Sequence, residues 1–240
     1  MKAMVLAAGL GTRLRPLTDD RPKALVEVAG RTLLEITLTR LRDFGVCEAI
    51  VNTHHFAEMI PAYLKQHGNF GMRIEVSHED LLLDTGGGLK KAAWFFLEDG
   101  HSGDPFLLHN VDVMSTIDLG RMVQFHQQQS ALATIAVQDR KTSRPLLFDR
   151  DDQLRARANT TAPVDGMQPL AFAGIHVLSP RIFSLFNETG AFSIIDAYLR
   201  LSAQGERIVA FRADEYKWAD LGRPESIAAA ARDFAQTSND

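Results

Sequence analysis

The sequence predicts an α/β fold: a Rossmann-like, mixed and mostly parallel sheet flanked by helices. Three observations predict it. Short apolar runs that read as strands alternate with stretches of helical periodicity through the first half of the 240 residues. Parallel strands need crossovers of helical length, so this alternation marks a parallel sheet covered on both faces. The first of these runs, Met4 to Ala8, leads directly into two glycines, at the strand end where ligands collect in such sheets. No internal repeat, low-complexity tract or linker interrupts the chain, which reads as one domain over residues 1–240 with a change of character near residue 115.

The elements follow in order. After the opening strand, Ala24 to Val28 is a short extended piece turned by Ala29-Gly30-Arg31. Leu33, Leu34, Ile36, Leu38, Leu41 and Phe44 recur at helical spacing, and Gly45 ends that helix. Ala49 to Thr53 is the next strand, and a helix through Met59, Ile60, Tyr63 and Leu64 follows it. Arg73 to Ser77 is a strand, Leu89 to Leu97 a helix, and Pro105 to Asn110 an apolar strand ending on polar residues.

Beyond residue 115 the pattern loosens into a mixed sheet. Ala131–Val137, Leu146–Asp149, Ala171–Val177 and Ile208–Phe211 read as strands. Asp149 to Asp152 is a turn cluster, and Asn159 to Met167 an exposed loop. Ser179-Pro180 starts a helix, with serine as N-cap and proline at the first helical position. A second helix runs from Phe192 to Ala203 and a closing one from Ser226 to Phe234. Between them Lys217 to Gly222 forms a short strand and turn. The tail from Gln236 is frayed.

Composition excludes several classes of function. The formal net charge of −4 argues against a nucleic-acid binder, which needs a basic face. Cys47 is the only cysteine, so there is no intrachain disulfide, and a reducing, cytoplasmic setting is expected. There is no secretory leader pattern and no run long enough to span a bilayer. A monomer or small homo-oligomer acting on small molecules is the expectation.

The stretch Leu6-Ala7-Ala8-Gly9-Leu10-Gly11-Thr12-Arg13-Leu14-Arg15 carries the chemistry. Glycines let backbone approach a ligand closely, and successive N–H groups in such a loop cradle an anion. Arg13 adds a fork of donors and Lys23, nearby in sequence, a point charge. A third glycine at dinucleotide-fold spacing is missing, since Leu14 stands there, and no ribose-binding acid follows the second strand. The Walker A spacing is absent too. A second glycine cluster, Asp84-Thr85-Gly86-Gly87-Gly88, is either a flexible turn before a helix or bare backbone set against a ligand. Asp112 lies at the carboxyl end of a buried strand, where a carboxylate needs a counter-charge. Mg²⁺ is the natural one, because it prefers carboxylate and phosphate oxygens. Asp220 offers a second carboxylate near a strand end. Lys90-Lys91 reads as a solvated helix face, and so does His126 with Gln127 to Gln129. His54 and His55 lack companions for a metal site and take hydrogen-bonding or surface roles. Of His109 and Asn110, Asn110 is the better candidate to line a cleft.

Gly9-Leu10-Gly11-Thr12-Arg13-Leu14 with Pro22-Lys23 resembles the signature of the sugar-1-phosphate nucleotidyltransferases. The resemblance continues through Leu83-Asp84-Thr85-Gly86-Gly87-Gly88, Asn110-Val111-Asp112 and Trp218-Ala219-Asp220-Leu221-Gly222, so it covers essentially the whole chain. It is greatest to the short bacterial N-acetylmuramate-1-phosphate uridylyltransferases. It implies a nucleotide-binding half, residues 1–115, and a sugar-binding half, residues 116–235. Ala7, Ala8, Gly9, Gly11, Thr12, Arg13 and Lys23 are then the triphosphate and nucleotide contacts, with Thr85, Gly86 and Gly87 on the base. Arg13, Lys23 and Asp112 are catalytic. Asn110, Asp112, Gly174 and Asp220 lie on the sugar side, and Asp112 with Asp220 holds Mg²⁺. Val111 stands where the family usually has glycine. Lys141-Thr142-Ser143-Arg144-Pro145 replaces the family's Glu-Lys-Pro stretch, with Arg144 as the stand-in for its lysine. The implied reaction joins an NTP, UTP first, to a sugar 1-phosphate, N-acetylmuramate 1-phosphate first, with release of pyrophosphate. The alternatives are GTP or dTTP with a heptose, mannose or glucose 1-phosphate, or a non-catalytic nucleotide-sugar sensor.

Overall fold

A computed structural model describes residues 1–98, 103–158 and 166–237. They form two compact units. The first comprises Met1–Leu82, His109–Ser115 and Trp218–Asp240, the second Leu83–Leu108 and Thr116–Lys217. The chain therefore passes between units at 82–83, 108–109, 115–116 and 217–218, of which the sequence pattern marks only the third.

In the first unit the strands Lys2–Leu6, Glu48–Thr53 and Arg73–His78 are parallel, with Val5 beside Val51 and Val51 beside Val76. Their apolar residues Met4, Val5, Ile50 and Val51 are fully buried, as a sheet covered on both faces requires. The helix Leu33–Asp43 starts where the Thr32 hydroxyl accepts from the Glu35 N–H at 3.0 Å, and it buries Leu34, Leu38 and Leu41 along one stripe. The extended piece expected at 24–28 is shorter than the sequence suggests. Lys23–Leu25 is a single 3₁₀ turn, and only Glu27–Val28 pairs, with Arg31–Thr32. The strand Val113–Ser115 is absent from the sequence reading. It is antiparallel to Trp218–Asp220.

In the second unit, Gln168–Leu178 is antiparallel to both Ala133–Gln138 and Leu146–Phe148, while Ile208–Arg212 is parallel to Ala133–Gln138. Leu154–Arg157, a further unexpected strand, pairs with Leu146–Phe148. It follows the expected aspartate turn, in which the Asp149 carboxylate accepts from the N–H groups of Asp151 and Gln153. The rings of Phe96, Phe106 and Phe183 stack in this unit's core. Parallel and antiparallel strands flanked by helices are the fold class that the sequence predicts. Of the loop expected over 159–167, residues 159–165 lie outside the described residues, as do 238–240 of the tail expected from Gln236, whose first two residues instead close the helix Pro224–Thr237.

Four local readings need correction. The Asp84–Gly88 cluster is helical, within Asp84–Lys91, and a second short helix, Ala93–Leu97, follows. Its glycines answer to packing. A Cβ on Gly86 would lie 2.3 Å from the Phe192 ring, and one on Gly87 would lie 2.5 Å from the Gly190 carbonyl oxygen. Lys90 is not on a solvated face, because its ammonium donates to the carbonyls of Phe186 and Glu188 at 3.2 and 2.5 Å. His126 is buried and bonded to the Thr134 hydroxyl at 3.0 Å, so it sits on the inner stripe of the helix Leu119–Gln128. Ser179-Pro180 leads only to the single turn Ile182–Leu185, whose N-cap is Arg181.

Burial pushes His126 down to about 4, and burial together with the Arg40 guanidinium pushes His109 down to about 3. Both rings fold neutral and take up a proton more readily when unfolded. Their contribution is therefore complete above the unfolded value near 6.5 and is lost as pH falls toward 4 and 3. Denaturant midpoints should be flat above pH 6.5 and fall below it, each histidine adding a slope of up to ~1.4 kcal/mol per pH unit. A His126→Gln variant whose slope matches the parent would refute this origin. Gly87→Ala should destabilise by about 1–3 kcal/mol through overpacking on a carbonyl that cannot swing away, read as a lower urea midpoint with unchanged m-value.

Candidate active site

Most of the expected site residues lie within the first unit. The opening strand delivers Ala7 and Ala8, whose N–H groups both donate to the Asn52 carboxamide oxygen, at 2.6 and 3.3 Å. The N–H groups of Gly9, Leu10, Gly11 and Thr12 have no acceptor among the described residues. The open donors of the loop thus begin at Gly9. Gly11 has φ 63°, and a Cβ there would meet Thr18 at 2.9 Å and Lys23 at 3.0 Å. Thr18 also donates its hydroxyl to the Gly11 carbonyl at 2.9 Å. Glycine at 11 lets the loop turn left-handed and lie directly on Lys23. Thr12–Leu14 then forms one 3₁₀ turn that buries Leu14.

Two cation–carboxylate pairs stand beside this loop. The Lys23 ammonium donates to Asp112 Oδ2, and Arg13 Nη1 lies 3.8 Å from Asp220 Oδ2. The ladder of Val113–Ser115 with Trp218–Asp220 sets Asp220 opposite Val113, and the Leu221 N–H donates to the Asp112 carbonyl at 2.8 Å. Asp112 and Asp220 therefore occupy adjoining positions on neighbouring strands. Their carboxylates are hard oxygen donors of the kind Mg²⁺ takes, and they are grouped at one end of the ladder. Among the described residues no cluster of three or more His, Cys, Asp or Glu side chains accompanies them. Gly222 completes the pairing. Its N–H donates to Asp220 Oδ1 at 2.8 Å, and a Cβ on it would lie 2.6 Å from Arg13 Nη2. This role was not visible in the sequence; the signal was a glycine two residues after Asp220.

Behind Asp112 the chain is buried and polar. Arg40 donates from Nη1 to His109 Nε2 at 3.0 Å, so His109 Nδ1 carries the proton and donates to the Asn110 carbonyl at 2.8 Å. His109, held neutral, is walled in by Arg40 and is no acid–base group at neutral pH. Asn110 is half-buried, and its Oδ1 is buried without a hydrogen-bond partner among the described residues. Val111 does not crowd the backbone. It is buried, its N–H donates to the Leu6 carbonyl at 3.2 Å, and its φ is not positive.

The remaining site residues lie in the second unit. The Thr85 hydroxyl accepts from the Ile194 N–H at 3.0 Å, and the N–H groups of Gly86 and Gly87 donate to the Phe192 carbonyl at 2.9 and 3.3 Å. Gly174 has φ 77° at a bulge between Phe172 and His176, a backbone reason for glycine. Arg144 is exposed, and its N–H donates to the Thr142 hydroxyl at 3.2 Å.

Residues 2–237 match the nucleotidyl transferase family. The chain is 36% identical over 245 residues to an N-acetylmuramate alpha-1-phosphate uridylyltransferase of Caulobacter vibrioides, covering 96% of each chain. It is 31% identical over 225 residues to the enzyme of the same name from Neisseria meningitidis serogroup B, covering 92% of this chain and 93% of that one. Its fold matches a UDP-glucose pyrophosphorylase solved with UDP-glucose at a TM-score of 0.79 and 19% identity, covering 98% of both chains. Matched along nearly its whole length, the protein belongs to the nucleotidyl transferase family.

Proposed function

We propose that the protein transfers a uridylyl group from UTP to N-acetylmuramate α-1-phosphate and releases pyrophosphate. The observation that carries this reading is the grouping of Arg13, Lys23, Asp112 and Asp220 beside a loop whose N–H groups are open from Gly9 to Thr12. The choice of uridylyl group and sugar rests on the two relatives, both named for that reaction, whose lengths this chain nearly spans.

An oxygen of the sugar phosphate attacks the α-phosphorus of the nucleotide. The bond from that phosphorus to the bridging oxygen breaks, and pyrophosphate leaves with the electron pair. Both reactants are anions, so the barrier contains their repulsion and the charge spreading over the transferred phosphoryl oxygens. The loop N–H groups hold the triphosphate, and Arg13 and Lys23 stabilise the developing charge. Holding both partners in line makes a covalent enzyme intermediate unnecessary. Asp112 and Asp220 are the residues to hold Mg²⁺, which when bound supplies charge neutralisation at the phosphates. The unpartnered Asn110 Oδ1 is suited to accept from a hydroxyl or amide N–H of the sugar. On the base side the Thr85 hydroxyl still has its own proton to donate, while the Gly86 and Gly87 N–H groups are committed to Phe192. Gly174 keeps the sugar-side strand free of a side chain.

Pyrophosphate release should be fastest with UTP, Mg²⁺ and N-acetylmuramate 1-phosphate. A preference for GTP or dTTP, or for a heptose, mannose or glucose 1-phosphate, would overturn the substrate assignment. Silence with every pair despite intact UTP binding would make the protein a sensor. Asp112→Asn and Asp220→Asn should each abolish Mg²⁺-dependent turnover; Asp220→Asn should leave the thermal midpoint nearly unchanged, whereas Asp112→Asn, which leaves the withdrawn Lys23 ammonium without its carboxylate, should lower it. Arg13→Ala should cost about 2.7–4 kcal/mol of transition-state stabilisation, by analogy with removal of one oxyanion donor. Gly222→Ala should lower turnover in the same direction without loss of stability, because its Cβ displaces only the exposed Arg13 head and the Asp220 carboxylate. Wild-type rates for Gly222→Ala would show that the Arg13 position seen here is not the working one.

A further inference from the structure

The buried side chain of Asn52 joins two strands to the start of the anion loop. It is 3% exposed, at the carboxyl end of Glu48–Thr53. Its Oδ1 accepts from Ala7 N–H and Ala8 N–H, and its Nδ2 donates to Glu79 Oε1 at 2.8 Å. Glu79, 1% exposed, follows the strand Arg73–His78. Its own backbone is fixed, because its N–H donates to the Thr53 carbonyl at 2.7 Å and its carbonyl accepts from His54 Nδ1 at 2.7 Å.

This arrangement leaves the amide one orientation. The backbone N–H groups of Ala7 and Ala8 only donate, so the Asn52 oxygen must face the loop and its NH₂ must face Glu79. The reverse orientation would set an NH₂ against two backbone donors and an oxygen against a carboxylate. Hydrogen bonds in a buried setting are strengthened, and an unmade one there is costly.

We propose that Asn52, oriented by Glu79, is a positioning residue for the nucleotide. It turns the first two loop N–H groups inward, so that the donors presented to the triphosphate begin at Gly9. Without it Ala7 and Ala8 are free to rotate, and the donors that follow lose their common direction. Asn52 touches no reactant and acts through the loop alone. The inference rests on the nucleotidyl-transfer reading of this site, and the tests separate the two.

Hydrogen exchange of the full-length protein should show Ala7 and Ala8 amides protected and Gly9 to Thr12 amides fast, with no substrate present. Equal exchange across the loop would overturn the proposal whatever the protein catalyses. Asn52→Ala should raise the KM for the nucleotide by about tenfold or more, one tenfold step being ~1.4 kcal/mol, and should leave the KM for the sugar 1-phosphate unchanged. Glu79→Gln keeps an acceptor for the Asn52 NH₂ and should stay near wild type, whereas Glu79→Ala should behave as Asn52→Ala does. The double variant Asn52→Ala with Glu79→Ala should be no worse than Asn52→Ala alone, since Glu79 acts through Asn52. An unchanged nucleotide KM in a folded Asn52→Ala, or additive losses in the double variant, would overturn it. Should Asn52→Ala fail to fold, the wild-type exchange pattern and Glu79→Gln still decide. A wild type with no transfer activity but this exchange pattern would sink the assigned function and keep the role of Asn52 in the loop.

Discussion

The short antiparallel ladder between Val113–Ser115 and Trp218–Asp220 is the contact on which the active site depends. It brings together two carboxylates from distant parts of the chain. A two-stranded ribbon of this length is marginal on its own, so its anchoring matters. Val111 and Val113 on either side of Asp112 are buried, and so is Leu221 next to Asp220. Val111 and Asp112 form a turn leading into the strand, and burial of the two valines leaves the Asp112 carboxylate to meet Lys23. The Val111 N–H to the Leu6 carbonyl and the Leu221 N–H to the Asp112 carbonyl fix the segment to the end of the first strand and to its partner. The glycine loop starts at that same strand end. One set of backbone bonds thus determines where the open loop donors and the carboxylates meet.

The charges follow a simple balance. Each carboxylate faces one cation, so the group of four is neutral before any substrate arrives. The two pairs differ in character. The Lys23 and Asp112 side chains are only 13% and 15% exposed, whereas Arg13 and Asp220 are 55% and 40% exposed. A pair withdrawn from water is costly to break by removing one partner. An exposed pair at 3.8 Å contributes little to stability. Lys23 is therefore a fixed charge, set against Gly11 as well as Asp112. Arg13 is a charge on a long stem that can leave Asp220 with little loss.

Much of this was legible in the sequence, and the exceptions have a common cause. Leu34, Leu38 and Leu41 repeat at helical spacing, and Ile50-Val51 stands out as a buried strand, because periodicity and apolar runs are local. Gly9, Gly11, Arg13 and Lys23 stand out as a glycine-rich loop with basic residues for the same reason. The strand Val113–Ser115 does not, since three residues carry no period and their partner lies far along the chain. His126 looked solvated beside three glutamines, yet its helix turns it inward to Thr134. Lys90 looked like half of an exposed pair, but it closes on two carbonyls from the segment 186–188. In each case a distant segment decides, and a local reading has no access to it. Asn52 left one faint trace: a polar residue ending a run of buried apolar ones, which needs a partner.

The glycines of the expected site show how structure sorts positions that look alike in sequence. Gly86 and Gly87 are small because the chain from Gly190 to Phe192 lies against them, and Gly174 because a bulge bends left-handed there. Gly11 is small for two reasons at once, its φ of 63° and the contact with Lys23. Each of these has an explanation inside the protein and would be glycine with or without a ligand. Gly9 has none: its φ is not positive, and a Cβ built on it meets nothing within 4 Å. The fold tolerates a side chain there, so nothing inside the chain asks for glycine at that place. Gly9 is also where the open N–H donors begin. Under the proposed function its bare backbone is the part of the loop that a phosphate would approach.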